Sequence, residues 1–188
     1  MPKVVVREYD PDWPRAFERI HAHVWPAVQH CSLKLEHVGS TAVPGLSGKP
    51  VIDACIVVAS TRDIPYAVKA LVSLGYEHRG DLGVPGREAF KRPAGTRLPR
   101  HHLYASVRGS MSLRNHLGFR DYLRTHPEVA KEYGELKVSL AKRFPDDIDN
   151  YIEGKTDFVL GVLQQLGFND EELWTLREIN KVENLRRP

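Results

Sequence analysis

The apolar positions change period once along the chain. Up to about residue 108 they fall in short runs punctuated by Gly and Pro, and after Ser110 they recur at helical spacing. In the first part, residues 4–6 (VVV) read as a short strand. Asp12 before Trp13-Pro14 reads as the N-cap of a helix running toward His30, with Phe17, Ile20 and Val24 on its buried face. Residues 33–38 and 50–58 read as strands, 63–74 as a helix with Ala67, Val68, Leu71 and Val72 inward and Gly75 as its C-terminal cap, and Tyr76 begins a further strand. Residues 88–92 and 100–107 then pair across the loop 93–99. In the second part, Val129, Tyr133, Leu136 and Leu140 mark one helix; Ile148, Ile152, Val159, Val162 and Leu166 mark the next stretch, and residues 170–183 a last helix. Strands first and helices last predict an α+β fold: a mixed sheet of about five strands with flanking helices and a C-terminal helical part. The expected organisation is a single domain over 1–188, with 1–108 as the sheet-containing core and 109–188 packed on it.

The pattern is broken in three places by charge. Asp53 lies within the apolar run 50–58, where a carboxylate needs a metal ion, a cation or hydrogen-bond donors to offset its desolvation. Arg120 lies seven residues after Leu113 and three after Leu117, and Lys155 four after Tyr151 and three before Phe158, so both sit on stripes that otherwise look buried. Two readings follow: they reach a phosphate or the Asp53 region, or they snorkel or form structural ion pairs.

Strand alternation puts Asp53 and Cys55 on one face of their strand. In 100–107 it puts His102, Tyr104 and Ser106 on one face, and His101, Leu103, Ala105 and Val107 on the other. His102 is a candidate general base, phosphate ligand or metal ligand, or a hydrogen-bonded structural histidine. Cys55 reads as a small buried hydrophobe and a poor Mg²⁺ ligand. The adjacent histidines have no zinc spacing, because neighbours on a strand point to opposite faces. The turn Gly39-Ser40-Thr41 combines a glycine that permits close backbone approach with two hydroxyls able to donate to phosphate oxygens, and Lys49 adds a point charge nearby.

Composition narrows the setting. The formal charge of +3 is unevenly spread: residues 79–108 hold seven basic and two acidic residues, among them Arg87, while the segments before and after are close to balanced. Such a patch suits an anionic ligand, or is a solvated basic loop. Two cysteines make no disulfide framework, no signal-like segment opens the chain, and no apolar run approaches the roughly 20 residues of a membrane span. The expectation is a cytoplasmic protein with no membrane partner. Nucleic acid is not an expected partner, since the chain has no recognition motif and a pI of about 8.9.

Six separated segments carry a resemblance: 9–13 (YDPDW), 37–46 (HVGSTAVPGL), 49–53 (KPVID), 101–104 (HHLY), 119–124 (FRDYLR) and 151–155 (YIEGK). Together, in this order and over nearly the whole chain, they resemble the GrpB (UPF0157-like) family. That family is similar in fold to the polymerase-beta-type nucleotidyltransferases, which implies a Gly-Ser phosphate turn ahead of an acidic strand. It also includes domains attached to dephospho-coenzyme A kinase, with a suggested accessory or folding-assistance role. Carried over, Gly39 and Ser40 match the phosphate turn and Asp53 the first metal-binding acid. Cys55 stands where the second acid would be, and His102 or Tyr104 occupies the region of the third. Glu88 is a candidate replacement ligand, or an exposed strand glutamate.

The implied function is that of a nucleotidyltransferase-like protein. Ser40, Thr41, Lys49, Arg87, Arg120 and Lys155 would bind a nucleoside triphosphate or another phosphorylated small molecule. In the catalytic version Asp53 holds Mg²⁺, His102 deprotonates or orients an acceptor, and nucleotidyl transfer follows. In the other version the chain is a noncatalytic nucleotide-binding or accessory module, with a protein partner.

Overall fold

The computed structural model describes residues 3–185. Helix α1 (Trp13–Val28) buries Trp13, Phe17, Ile20, Val24 and Val28, the i, i+3/i+4 stripe expected of an amphipathic helix. Asp12 does not cap it through its side chain, which pairs instead with Arg15 at 3.1 Å; Pro in the first turn sets the helical φ there. Residues 4–6 form no strand. Val4 donates its N–H to Pro145 O (2.7 Å) and packs with Leu140 and Tyr151, and the only pairing nearby is a lone antiparallel bridge between Arg7 and Gly48. The apolar triplet is therefore a strap along the helical half, where Val4 and Val6 find a core without a sheet edge while Val5 is exposed.

Five strands form one sheet in the order β1-β2-β5-β4-β3: β1 (Lys34–Val38), β2 (Ile52–Val58), β3 (Glu77–His78), β4 (Arg87–Lys91) and β5 (His101–Val107). β2 and β5 run parallel at the centre and the other pairings are antiparallel. Their register sets Asp53 beside His102, and Cys55 beside Tyr104, on one face. On the opposite face Ile52, Ala54, Ile56 and Val58 join Leu103 and Ala105 against α1 and α2 (Ile64–Ser73) to make the main core. Gly75, at φ 86°, ends α2 in the left-handed conformation that glycine adopts at little cost. The site face is covered by α3 (Met111–Thr125), whose Leu113 and Leu117 pack on Val38, Cys55 and Val57.

Beyond α3 the chain continues through α4 (Pro127–Arg143), α5 (Ile148–Gly154), α6 (Thr156–Gln165), α7 (Asp170–Ile179) and α8 (Val182–Leu185). Val43 and Leu46, in the loop between β1 and β2, pack against Leu123, Ala130 and Tyr133, which seats α3 and α4 directly beside the Gly-Ser turn. The stretch read as one last helix is two, α7 opening with an Asn169/Glu172 capping box. No helix among the described residues is long and apolar enough to cross a membrane.

His101 belongs to the core. Its Nδ1 donates to Pro99 O (2.7 Å), so its Nε2 is the acceptor for the Tyr76 hydroxyl (2.8 Å), and burial lowers its pKa. Replacing Tyr76 with Phe leaves that buried nitrogen unpaired. The expected loss is about 1–3 kcal/mol of unfolding free energy in urea titrations, without change at the site on the other face of the sheet.

Candidate functional site

The site begins at the end of β1. Gly39 has φ 70°, and a Cβ at that position would run into the carboxylate of Asp53, so the residue must be glycine for both conformation and space. A short 3-10 turn over Ser40–Ala42 follows and is fixed from three directions. Arg124 of α3 donates from Nε and Nη2 to Ala42 O (3.0 and 2.8 Å), Lys137 of α4 donates from Nζ to Ser40 Oγ (2.8 Å), and His37 Nε2 lies 2.9 Å from Thr41 Oγ1. His37 stacks on Phe17 at 4.7 Å, and burial pushes its pKa down to about 4, which keeps the ring neutral at pH 7.

Facing this turn is a small, partly open recess of about 60 Å³, lined by Ser40, Thr41, Lys49, Val51, Asp53, His102, Lys137, Tyr151 and Lys155. Three lysines converge on it: Lys49 from the β1–β2 loop, Lys137 from α4, and Lys155 from the junction of α5 and α6. Lys137 is only 2% exposed and also donates to Ser47 O; its aliphatic stem and head lie against the Tyr133 ring. Burial, helped by repulsion from Lys155 and opposed by Asp53, lowers its pKa to about 6. Burial and Lys155 bring Lys49 down to about 8. The ammonium groups of Lys49 and Lys155 lie 5.5 and 5.4 Å from the Tyr151 ring centre, so one buried aromatic ring helps hold two like charges.

Asp53 is the acid of the recess. Burial pushes its carboxyl up, but the hydrogen bond and charge of His102, with His116 and Lys155, outweigh this and hold it below the usual carboxylate range. An ionised carboxylate only accepts, so the 2.9 Å contact means that His102 Nδ1 carries the hydrogen and donates to Asp53 Oδ1. The His102 side chain is 49% exposed, which leaves Nε2 available to a ligand at the mouth.

Residues 3–165 match the family described as GrpB protein. The chain belongs to the GrpB family. Among its relatives, the UPF0157 protein YqkA of Bacillus subtilis is 35% identical over 161 residues, 84% of this chain and 45% of YqkA, so the chain spans less than half the length of that relative. A dephospho-CoA kinase of Mycolicibacterium paratuberculosis is 30% identical over 169 residues, covering 78% of this chain and 42% of the kinase. The crystal structure of the conserved protein GrpB from Enterococcus faecalis superposes with a TM-score of 0.75 at 31% identity, over 93% of this chain and 98% of that one. The Cid1 poly(U) polymerase with MgGTP bound has a TM-score of 0.51 at 16% identity, over 72% of this chain and 44% of Cid1, a likeness of fold.

Within this GrpB-family fold the expected acidic metal site is not assembled. Cys55, beside Asp53 on the same strand, is fully buried, and burial pushes its thiol up to about 11, so it packs as a hydrophobe and offers no thiolate. The neighbour of Asp53 on β5 is His102. Glu88 points to the opposite face, where it pairs with His78 at 2.6 Å. Among the described residues no group of three or more His, Cys, Asp or Glu side chains is placed to hold a metal ion. One carboxylate surrounded by three amines does not fit a pair of divalent cations.

The predicted phosphate residues divide. Ser40, Thr41, Lys49 and Lys155 meet at the recess, Gly39 sits behind it against Asp53, and Arg120 and Arg87 lie outside its lining. Arg120, 9% exposed, donates to Glu36 Oε2 (2.8 Å), His37 O and Asp121, a structural ion pair that holds α3 to β1. Arg87 covers the Tyr104 ring at 5.0 Å and donates to Asp81 O, with its buried Nε unpartnered. Lys137 was missed by the sequence reading, although it falls between Tyr133 and Leu140 on the apolar stripe of α4, the same signal that marks Arg120 and Lys155.

Two expected outcomes follow. Gly39→Ala should lose at least about 2 kcal/mol of stability in urea, from a positive φ and the clash with Asp53. For Lys137, the unfolded chain binds a proton up to pH 10.5 and the folded chain only below about 6, so folding releases a proton and stability rises with pH across that window. Unfolding titrations at several pH values should show that Lys137→Met flattens this slope by up to about 1.4 kcal/mol per pH unit.

Proposed function

We propose that the protein binds a phosphate group of a nucleotide or other phosphorylated small molecule in the three-lysine recess, with ammonium groups supplying the positive charge. The observation that carries this reading is the convergence of Lys49, Lys137 and Lys155 on the hydroxyls of Ser40 and Thr41. Like charges brought together in a partly desolvated space repel, and an anion between them relieves that repulsion. The fold shared with Cid1 makes a nucleotide the first ligand class to test. The recess has room for one tetrahedral group, so the remainder of the ligand lies outside it, over the His102 side.

A second reading is favoured by the Asp53–His102 pair. A histidine held by a carboxylate at Nδ1, with Nε2 free at the mouth of an anion site, has the geometry of a general base for an acceptor hydroxyl. On this reading the protein transfers a phosphate-bearing group, and the charge that Mg²⁺ would supply comes in part from lysines. On the first reading alone, it is a noncatalytic or accessory module, which accords with its likeness to part of a dephospho-CoA kinase, and a protein partner would receive its response.

Thermal unfolding with nucleoside mono-, di- and triphosphates, each with Mg²⁺ or with EDTA, tests these readings. The expected result is a raised Tm that needs no Mg²⁺ and that Ser40→Ala or Lys155→Met reduces. Stabilisation that requires Mg²⁺ and disappears in Asp53→Asn would instead favour metal-dependent transfer. No response to any phosphorylated compound would remove both.

A further inference from the structure

Lys137 is an unusual element of an anion site. Its amine has two oxygen acceptors, Ser40 Oγ and Ser47 O, and among the described residues no carboxylate within hydrogen-bond reach. The groups that face it are Ser40 from the 3-10 turn, Ser47 and Lys49 from the β1–β2 loop, Asp53 from β2, His102 from β5, Tyr133 from its own helix, Tyr151 from α5 and Lys155 from the α5–α6 junction. Three of these are charged near neutral pH: Lys155 is positive, Lys49, its pKa brought down to about 8, is mostly positive, and Asp53 is negative. Before a ligand arrives the recess thus carries about one net positive charge, and a third ammonium among them has no anion of its own.

We propose that the recess is a proton-coupled receptor for a terminal phosphate, in which Lys137 is a neutral amine in the free protein and takes up a proton as a phosphomonoester dianion enters. The proposal rests on the phosphate-binding reading and adds the charge class of the ligand and its dependence on pH. A dianion brings two negative charges into a space that holds one excess positive charge. With Lys137 protonated the charges balance, and the new ammonium lies beside the Ser40 turn where the phosphate oxygens sit. A phosphodiester carries one negative charge, already matched without any proton uptake. The site therefore favours the end of a phosphorylated molecule over an internal diester.

The sign of the pH effect follows from the direction in which burial moves the lysine. The amine is unprotonated above about pH 6 in the free protein, and a bound dianion favours its charged form. Affinity should rise as pH falls toward 6 and level off below it, where the proton is already present.

Isothermal titration calorimetry with inorganic sulfate, phenyl phosphate and dimethyl phosphate at pH 6.5 and 7.5 tests this, in two buffers of different ionisation heat so that protons bound per ligand are counted. Sulfate remains a dianion throughout, so its pH dependence reports on the protein alone. The expected result at pH 7.5 is uptake of close to one proton with sulfate and with phenyl phosphate, and an affinity for sulfate about tenfold lower than at pH 6.5. Dimethyl phosphate should bind at least tenfold more weakly than phenyl phosphate. In Lys137→Met, with folding checked by circular dichroism, proton uptake should fall from close to one proton to the small fraction that Lys49 can still take up, while Lys137→Arg should bind sulfate with little pH dependence. Dianion binding without proton uptake, or uptake that stays close to one proton in Lys137→Met, would overturn the coupling while leaving phosphate binding intact. Failure of every anion to bind would remove both.

Discussion

The burial of one amine organises this molecule. Lys137 reaches from α4 across to the β1–β2 loop and ties two points of that loop, Ser40 and Ser47, to the helical half of the chain. An ammonium in that position is costly, and burial brings the pKa of the amine down to about 6. The same contact that fixes the Gly-Ser turn thereby leaves an amine poised beside it. Arg124 adds a second tether on Ala42, so the turn is held by two helices and cannot be regarded as a free loop.

Within the nucleotidyltransferase-like fold, this arrangement replaces one kind of charge with another. Acidic strands that hold metal ions concentrate negative charge and depend on cations from solution. Here the positions beside Asp53 are a buried thiol and an imidazole, and positive charge comes from lysines built into the chain. An ammonium is a point charge that polarises less than a divalent ion, but it cannot be removed by a chelator.

Much of the sheet was legible because alternation and glycine punctuation are local signals. The pairing of Asp53 with Cys55 on one face, and the polar face of β5, followed from a period of two. Residues 4–6 carry β propensity but form a strap, because Val4 and Val6 bury themselves equally well against helices, and only tertiary context separates the two. Arg120 and Lys155 gave the same sequence signal and received different roles. Glu36, which claims Arg120, lies 84 residues away and could not be connected to it by spacing. Lys137 was available to the same test and was passed over because the stripe of α4 was read for its apolar residues alone.

The recess also has a consequence for the order of assembly. Its lining runs from Ser40 to Lys155, and the Ser40–Lys137 contact closes a separation of 97 residues. Pairing β2 with β5, although it brings His102 to Asp53, leaves one wall missing until α4 and the α5–α6 junction have docked. Contacts of such long span carry a loop-closure cost, and a chain folding from its N-terminus completes this wall after the sheet. A nascent or truncated chain that has its strands but lacks residues 137–155 presents the Gly-Ser turn with Lys49 alone, so the three-lysine recess exists only once the helical half has docked.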